Sequence, residues 1–408
     1  MIRNRVRLGT VCHQDRTSIR PGERNDLRYI GLESIEAEAG LLADGALSKT
    51  PEAPQANSFR FGSEHVLYGK LRPYLNKVLV PEFVGKCSTE IVPLRPTAAL
   101  DRRYLAYFLR CATTVARISG RTAGARMPRA DMAFVLDLEI PLPPLAEQRR
   151  IVDLLSRAEG IVRLRREAQA KAQAIIPALF LDMFGDPAAN PKGWPMAPLS
   201  DVSEVISGVA KGRRLSRDEA VELPYMRVAN VKDGHLDLSE VKHIAIKRHE
   251  VDKLLIRPGD LLMTEGGDPD KLGRAALWRG EIAQCVHQNH VFKVRSNRKR
   301  VLPEYLRSLA GSAYGRAYFL SVAKKTTGIA SINKTQLSAF PVVLPPLAEQ
   351  VRFKEHVASA EAIAVQLAAA TLKAEQLFVA LLTQALRTDE VAAPPTSIDS
   401  VTMQADGH

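Results

Sequence analysis

Two long stretches of the chain repeat small or apolar residues at alternating spacings of four and three. In the second stretch these positions are Phe353, Val357, Ala360, Ala364, Leu367, Thr371, Ala374, Phe378, Leu381 and Ala385. The same register 202 residues earlier, with two polar interruptions at Arg165 and Gln169, gives Ile151, Leu155, Ala158, Val162, Arg165, Gln169, Ala172, Ile176, Leu179 and Met183. Such a heptad pattern is typical of long helices that pack against other helices.

We therefore predict spacer helices over 146–185 and 348–388, each about 57 Å long at 1.5 Å per residue. Further apolar residues are expected to widen the two stripes: Ile161, Ala168, Ile175, Ile363, Ala370 and Leu377. Two stripes of this length favour an antiparallel, coiled-coil-like pair over two amphipathic helices that each pack on their own domain. Pro177 should kink or interrupt the first helix.

The segments outside these helices read as short strands broken by turns, with a helix near 104–109 and another near 305–309. The strand-like runs are HVLYGK, NKVLVP and EIVPL in the first half, and DLLMT, AALW and HVFKV in the second. The predicted fold class is α+β, with mixed domains at 1–145 and 186–347 separated by the two helices. The Gly- and Pro-rich bridge FGDPAANPKGWP should end the first helix near Phe184, and 389–408 is expected to be a disordered tail.

The chain also contains one exact duplication. LPPLAEQ occupies Leu142–Gln148 and recurs 202 residues later, at Leu344–Gln350. A period this long indicates two copies of a domain plus its connector, and not a solenoid. Ala158-Glu159 matches Ala360-Glu361 at the same offset, whereas the globular parts have diverged. Only loose pairs remain there, Tyr29-Ile-Gly-Leu with Tyr225-Met-Arg-Val and LDRRYL with LPEYL, and the basic opening MIRNRVR has no counterpart that can be aligned.

Composition limits the class of protein. The 408 residues suggest two to three domains, at roughly 150 residues per domain. The net charge of +12 favours a polyanionic partner, although a basic protein without one remains an alternative. Four scattered cysteines, Cys12, Cys87, Cys111 and Cys285, read as buried apolar side chains in a reducing compartment. With no signal-peptide pattern and no run of 18 to 20 apolar residues recognised, a cytoplasmic protein without membrane contact is expected.

Catalytic motifs are missing from the sequence. It contains no GxxxxGK[ST] loop, no HExxH and no EF-hand loop, and Pro269-Asp270-Lys271 lacks a partner for a nuclease metal site. His287 and His290 are three residues apart, but in a strand that spacing points them to opposite faces, which argues against a metal. We therefore expect no catalytic residue, no metal and no bound cofactor in this chain.

Basic residues recur beside glycines in both halves, where lysine and arginine can bind phosphates and arginine or asparagine can read base edges. A solvated loop is the alternative for any single cluster. The candidates for DNA contact are Lys70, Arg72, Tyr74, Asn76, Lys77, Arg121, Arg126, Arg129, Lys211, Arg213, Arg214, Lys271, Arg274, Lys324, Lys325 and Asn333.

These features together resemble the specificity subunits of type I restriction-modification systems. The resemblance covers nearly the whole chain, through VLYGKLRPYLNKV at 66–78, STEIVPLRP at 88–96, PGDLLMTEGG at 258–267, the bridge, and PPLAEQ twice. It implies that each globular domain is a target recognition domain for one half of a bipartite double-stranded DNA sequence, with the helices setting the gap. It also implies partners: two methylation subunits that use S-adenosylmethionine, and two restriction subunits that use ATP and Mg.

Other classes of protein stay open at this point. A specificity module of a methyltransferase-only system, or of a fused methyltransferase-nuclease, would share the recognition features. The fused enzyme would need an S-adenosylmethionine loop and an NPPY-like pocket, which the sequence lacks. A scaffold that binds the methyltransferase without DNA would not require the basic loops.

Overall fold

The computed structural model describes residues 4–43, 45–46, 56–124, 126–212, 215–216, 218–267, 272–326 and 329–386. Among the sequence predictions, the tail at 389–408 and the candidates Arg213, Arg214 and Lys271 lie outside these residues. The chain divides into two compact units. Unit 1 comprises 1–165 and 371–408, and unit 2 comprises 166–370.

Unit 1 alternates short strands with short helices before the first long helix begins. Its elements are β1 (Arg5–Arg7), α1 (Leu8–Val11), β2 (Cys12–Gln14), β3 (Ser18–Ile19), β4 (Arg28–Ile30), β5 (Ser58–Phe61), β6 (Val66–Gly69), β7 (Val78–Leu79), β8 (Gly85–Ser88), β9 (Ile91–Pro96), α2 (Arg102–Arg110), α3 (Ala112–Ser119), β10 (Thr122–Ala123), β11 (Arg129–Ala130), α4 (Met132–Asp137) and β12 (Glu139–Pro141). The long helix α5 (Leu145–Phe184) follows, and 3-10 turns lie at Leu32–Ser34 and Pro73–Leu75.

Unit 2 follows a similar order with some differences. Its elements are β13 (Met196–Pro198), α6 (Leu199–Val202), β14 (Ser203–Ser207), β15 (Ala220–Met226), β16 (Lys242–Lys247), α7 (Val251–Leu254), β17 (Leu261–Thr264), β18 (Gly266–Gly267), β19 (Ala275–Leu277), β20 (Val286–His287), β21 (Val291–Ser296), α8 (Pro303–Gly311), α9 (Ala313–Val322), β22 (Lys324–Thr326), β23 (Ile329–Ser331), α10 (Lys334–Ser338) and β24 (Pro341–Val343). The second long helix, α11 (Leu347–Ala385), comes next, and 3-10 turns lie at Val228–Asn230 and Arg248–Glu250.

The antiparallel sheets of the two units correspond strand by strand. Unit 1 has an antiparallel sheet in the order β2-β9-β6-β7, and unit 2 has one in the order β14-β21-β17-β19. Each unit adds a mixed sheet with one parallel pair, β4-β8 or β15-β20. The predicted strands and the two short helices are confirmed, as is the α+β class. Tyr29 and Tyr225 both lie in these parallel pairs, opposite Lys86 and Val286, in agreement with the loose sequence match.

The opening of the first half does have a counterpart, which sequence alignment did not find. Strand β1 pairs antiparallel with β12, and β13 pairs antiparallel with β24, the strand before α11. A four-residue helix follows each of these strands, with both of its end residues buried. The backbone therefore matches where Arg5–Arg7 and Met196–Pro198 share no side-chain pattern, because antiparallel pairing uses main-chain groups that every non-proline residue carries.

Both spacer helices form within one to three residues of their predicted ends. Helix α5 continues through Pro177 to Phe184, so the expected interruption does not occur. Proline leaves the carbonyl four residues before it without its usual donor, but a helix this long keeps its other hydrogen bonds.

Most positions of the heptad seam are buried or half-buried. Ile151, Leu155, Val162, Ala172, Phe353, Val357, Ala360 and Thr371 are buried, and Ile176, Leu179, Leu367, Phe378 and Leu381 are half-buried. Four of the residues expected to widen the stripes are instead exposed: Ile161, Ile175, Ile363 and Leu377 are 42–59% exposed. A packed seam covers a narrower stripe of the helix surface than a helix lying on a globular core.

The long helices contribute to the core of each unit. In unit 1, Ile151, Val152 and Leu155 of α5 join the main cluster of buried residues together with Leu382 and Leu386 at the end of the chain's helical region. In unit 2, Phe180 and Phe184 of α5 join Phe353 and Val357 of α11 in the corresponding cluster. The four cysteines are buried and unpaired, as predicted.

One described helix, Leu347–Ala385, is long and apolar enough by composition to cross a membrane. The sequence analysis missed this because alanine, interspersed with serine and glutamine, raises the average without forming a continuous apolar run. Its first half packs into the core of unit 2, and Glu361 within it forms ion pairs with two arginines of that unit. The apolar stretch that meets this criterion is 11% buried.

Candidate nucleic-acid interface

In unit 1 the basic candidates gather where strand β6 ends. Lys70 follows the strand, its N–H donates to the carbonyl of Glu90 (2.9 Å), and its carbonyl accepts from the N–H of Ala130 (2.8 Å). Three segments distant in sequence are thereby held together. We call this surface rim 1, made of residues 70–74, Glu90, 121–124 and 126–130.

Rim 1 contains a strained backbone position at Arg72. Its φ of 51° is in the left-handed region, which residues other than glycine occupy only when the surroundings hold them there. The hydrogen bond from its N–H to the carbonyl of Pro128, at 2.7 Å, provides that support. The side chain is exposed, and the nearby Tyr74 is 53% exposed. An exposed aromatic ring beside arginine is suited to contact with bases or sugars.

The three arginines of the β10–β11 hairpin are held differently. The guanidinium of Arg121 lies 5.1 Å from the ring centroid of Phe134, and Arg126 is exposed beside Met127. Arg129 makes a two-pronged contact with the carboxylate of Glu90, at 2.9–3.1 Å, and this pairing raises the pKa of Arg129. Arg121 and Arg126 are therefore the hairpin's more available cations, whereas Arg129 would have to exchange a partner to reach a phosphate.

Two other candidates in this stretch have structural roles. Asn76 has a φ of 51°, ends the 3-10 turn, and donates its side-chain amide to the carbonyl of Arg110 (3.1 Å). The Lys77 ammonium donates to the carbonyl of Leu32 (2.6 Å). Both side chains connect segments of unit 1 through hydrogen bonds to backbone carbonyls. Neither side chain is part of the exposed surface of rim 1.

Unit 2 builds the equivalent surface on the same backbone frame. Strand β17 ends at Thr264, the N–H of Glu265 donates to the carbonyl of His290 (3.0 Å), and the carbonyl of Glu265 accepts from the N–H of Ile332 (2.8 Å). The carboxylate of Glu265 also contacts Nδ1 of His290. We call this surface rim 2, made of residues 265–267, His290, 324–326 and 329–332.

The remaining candidates of unit 2 lie on or near rim 2. Lys324 and Lys325 are exposed on β22, which pairs with β23 and, through it, with β18. Arg274 is half-buried, and Lys211 lies 5.7 Å from the ring of Tyr225. Asn333 is a helix cap: its side chain accepts from the N–H of Gln336 at 2.9 Å.

The main-chain hydrogen bonds of Lys70 and Glu265 follow the same pattern, so these two residues hold equivalent positions in the two rims. By the same pattern Glu90 is equivalent to His290, and Arg129 is equivalent to Ser331. The same backbone arrangement therefore carries a basic residue, Lys70, in rim 1 and an acidic residue, Glu265, in rim 2. A lysine contacts phosphates or guanine, whereas a carboxylate can accept from the amino group of cytosine. Equivalent positions with opposite charge can therefore favour different bases.

Sequence reasoning missed Glu90 and Glu265 because acidic residues were not considered as contacts to a polyanion. Both residues lie inside motifs that the sequence analysis quoted, STEIVPLRP and PGDLLMTEGG. Aligning EIVPL with HVFKV as equivalent strands would have placed Glu90 opposite His290.

His287 and His290 do not share a strand, contrary to expectation, because His287 ends β20 and His290 lies in the turn before β21. His290 is 54% exposed, whereas His287 is fully buried and its Nδ1 lies 2.6 Å from the carbonyl of Val291. Burial lowers the pKa of His287 to about 4. Across the described part of the chain, no cluster of three or more histidine, cysteine or acidic side chains could hold a metal ion.

The repeated glutamine of LPPLAEQ joins each long helix to its globular part. Gln148 is fully buried, accepts from the N–H of Asp101 (2.8 Å), and donates to the carbonyls of Ala99 and Pro143. Gln350 makes the same three contacts with Leu302, Arg300 and Pro345. The exact sequence repeat is thus a structural joint, at the start of α5 and of α11.

A family model described as the type I restriction modification DNA specificity domain matches residues 71–173, which include most of rim 1 and the first joint. The chain is 25% identical over 316 residues to the EcoKI specificity subunit of Escherichia coli K12, covering 72% of this chain and 67% of that protein. It is 25% identical over 314 residues to the StySPI specificity subunit of Salmonella potsdam, covering 72% and 66%.

Solved structures share the fold over almost the entire chain. One, from a study of complex assembly and conformational transition of the type I R-M system, has a TM-score of 0.60 at 22% identity, covering 95% of this chain and 98% of that one. The type I S subunit of M. genitalium has a TM-score of 0.54 at 12% identity, covering 94% and 96%. The chain is therefore similar in sequence to type I specificity subunits over 72% of its length, and it shares its fold with solved structures of type I systems.

Proposed function

We propose that this chain is the DNA sequence-recognition subunit of a type I restriction-modification complex, with each unit reading one half of a bipartite target. The observation that carries the proposal is the pair of rims. Two units whose antiparallel sheets have the same strand order present differently charged side chains on the same backbone frame, as two readers of unlike half-sites require. The net charge of +12 supports a polyanionic partner.

We further propose that α5 and α11 form an antiparallel, coiled-coil-like pair that sets the gap between the half-sites. The start of α5 packs with the end of α11 in unit 1, and the end of α5 packs with the start of α11 in unit 2. A helix of 40 residues is about 60 Å long, which suits it to a spacer.

The long helices also carry large apolar side chains that are open to solvent. Leu164 is 61% exposed, Val365 is 69% exposed and Leu372 is 55% exposed. Several such residues on one pair of helices favour a protein partner. We assign these faces to two methylation subunits, with two restriction subunits completing the complex in the cytoplasm.

In this proposal the chemistry belongs to the partners. S-adenosylmethionine would bind the methylation subunits, and ATP with Mg would bind the restriction subunits. This chain would contribute recognition and spacing, and no catalytic residue.

Methylated-base mapping tests the proposal directly. The chain is co-expressed with its methylation subunit in a methylation-free host, and methylated adenines are mapped genome-wide. We expect one bipartite motif with a fixed gap, and no methylation from the chain alone. Methyl transfer by the purified chain, or methylation without a bipartite motif, would refute the assignment. Adding the restriction subunit then separates a complete system from a methylation-only one.

Docking has its own test. Leu164→Glu and Val365→Glu should each abolish co-purification of the methylation subunit while leaving the melting temperature of the isolated chain nearly unchanged, because both side chains are already in water. The control is Lys373→Glu, which changes charge at an exposed position of α11 without adding to the apolar face. If the methylation subunit still co-purifies with both the Leu164→Glu and the Val365→Glu variant, the docking face must lie elsewhere.

The spacer role predicts the result of an insertion. Four residues, about one helical turn or 6 Å, are added within 158–172. The gap in the methylated motif should change while both half-site sequences stay the same. A changed half-site with an unchanged gap would contradict the spacer role.

A further inference from the structure

The second repeated element of the long helices, Ala158-Glu159 and Ala360-Glu361, has no role in the spacing function described above. In unit 1, one carboxylate oxygen of Glu159 accepts from Nη2 of Arg110 at 2.6 Å. Its other oxygen accepts from the hydroxyl of Tyr107 at 2.9 Å. The side chain of Arg110 is only 9% exposed, so this ion pair is largely shielded from water.

Glu361 makes an equivalent contact in unit 2. Its Oε1 accepts from Nη1 of Arg307 at 2.7 Å, and its Oε2 contacts the guanidinium of Arg279. The side chain of Arg307 is 8% exposed. Each long helix therefore presents one carboxylate, at the same position, to an arginine of the globular part of its own unit.

The donors that reach these carboxylates are not equivalent. Tyr104 and Tyr305 mark matching positions, since each donates its hydroxyl to a carbonyl of the strand preceding the long helix, at 2.9 and 3.0 Å. Counting from these tyrosines, Arg307 corresponds to Ala106 and not to Arg110. The acceptor position is the same in both units while the arginine comes from different turns of α2 and α8. The fixed element is the carboxylate on the helix.

The glutamates act together with the buried glutamines of the joints. Gln148 and Glu159 are 11 residues apart, as are Gln350 and Glu361, which corresponds to about 16 Å along a helix. A rigid body held at one point can still pivot about it. A second contact three turns away removes that pivot, so the pair fixes the angle of the globular part on its helix segment.

We propose that Glu159 and Glu361 are positioning residues that fix the orientation of each recognition domain on its spacer helix and thereby restrict the gap between half-sites. The inference rests on the proposed function. It differs from a stability role because loss of the carboxylate should relax gap selectivity while the bases read in each half-site stay the same.

The test uses the full chain in complex with its methylation subunit and a random-sequence duplex DNA library. Bound duplexes are selected and sequenced, which yields the half-site bases and the distribution of gaps in one measurement. The variants are Glu159→Gln, Glu361→Gln and the double variant. We expect discrimination between the preferred gap and gaps one base pair longer or shorter to fall about tenfold in the double variant, within the usual range of coupling between sites.

Two kinds of control isolate the effect. Asp153→Asn and Glu349→Gln remove exposed ion pairs within the same two helices and should leave the gap distribution unchanged. Glu159→Asp and Glu361→Asp keep the charge and should restore most of the selectivity, which a loss of stability alone would not do. These variants also keep the test informative if a glutamine variant folds poorly.

The outcomes separate the two proposals. If the unaltered complex selects no bipartite motif, the proposed function fails. If it selects one and the glutamine variants select the same single gap, the positioning role is overturned. A change in the half-site bases with an unchanged gap overturns it as well.

Discussion

The joint at the start of α5 and the joint at the start of α11 use the same polar contacts but different apolar side chains. Around the first joint, Ile151, Leu155, Leu382 and Leu386 are buried. At the positions 202 residues away, unit 2 has Phe353, Val357, Phe180 and Phe184. The rings of Phe180, Phe184 and Phe353 pack with Tyr305 and Trp194 at centroid distances of 4.8–5.9 Å.

This difference shows which features of a joint depend on geometry and which on volume. Gln148 and Gln350 must satisfy specific backbone groups, so the same side chain occurs in both units. The apolar positions need only fill space at native density, so Leu382 and Leu386 correspond to Phe180 and Phe184, whereas Leu155 corresponds to Val357. The rims follow neither rule, because their side chains face solvent and are free to differ.

The largest expected effect comes from the aromatic joint. Phe353→Ala should lower the free energy of unfolding by about 4 kcal/mol and Ile151→Ala by about 3 kcal/mol, because the larger ring leaves the larger cavity. Urea denaturation followed by circular dichroism measures both. Val351→Ala, at an exposed position of α11, should change stability by less than about 0.5 kcal/mol. A greater loss at Ile151 than at Phe353 would reverse the comparison.

The polar contacts should respond alike in both units. Gln148→Leu and Gln350→Leu should each cost about 3 kcal/mol, because each leaves one buried N–H and two carbonyls without their partner. The same denaturation experiment applies, with Gln384→Leu at an exposed position as the matched control. Clearly unequal losses at the two glutamines would show that the joints are not energetically equivalent.

A third comparison concerns Cys87 and His287, which hold equivalent positions and contact the carbonyl four residues ahead, at 3.7 and 2.6 Å. Burial lowers the pKa of His287 from 6.5 to about 4. Between these values the unfolded chain binds a proton that the folded chain does not, so stability should fall as pH decreases from about 6.5 to about 4. The expected loss is about 3 kcal/mol.

His287→Cys, which introduces the residue found in unit 1, should remove most of this pH dependence. Melting temperatures measured at intervals between pH 4 and 7 compare the variant with the unaltered chain. His290→Cys serves as the control, because that histidine is exposed. A pH profile unaffected by His287→Cys would assign the acid sensitivity to other groups.

The smallest expected effect tests the rims. Glu265→Lys gives rim 2 the residue that rim 1 carries, and it should steepen the dependence of log affinity on log salt concentration by about 1, as one added phosphate contact does. Lys70→Glu should reduce that slope by a similar amount. Fluorescence anisotropy with nonspecific duplex DNA at several salt concentrations measures both. Unchanged slopes would remove positions 70 and 265 from the DNA surface.

The sequence alone determined the features that depend on local periodicity. The heptad spacing predicted α5 and α11 nearly to the residue, and runs such as DLLMT and HVFKV became β17 and β21. Helices and strands repeat over a few residues, so their pattern is visible in the chain itself. The exact repeat likewise predicted two copies of one unit.

Tertiary structure decided which side chains share a surface. Glu90 and Arg129 are 39 positions apart, and Gln148 meets Asp101 across 47. Their pairing depends on how the strands register, which the chain does not display. The structure likewise placed Asn76, Lys77 and Asn333 in backbone contacts and left Arg72 and Tyr74 open to solvent. Residue type indicated what each side chain could bind, but long-range packing determined whether it was free to do so.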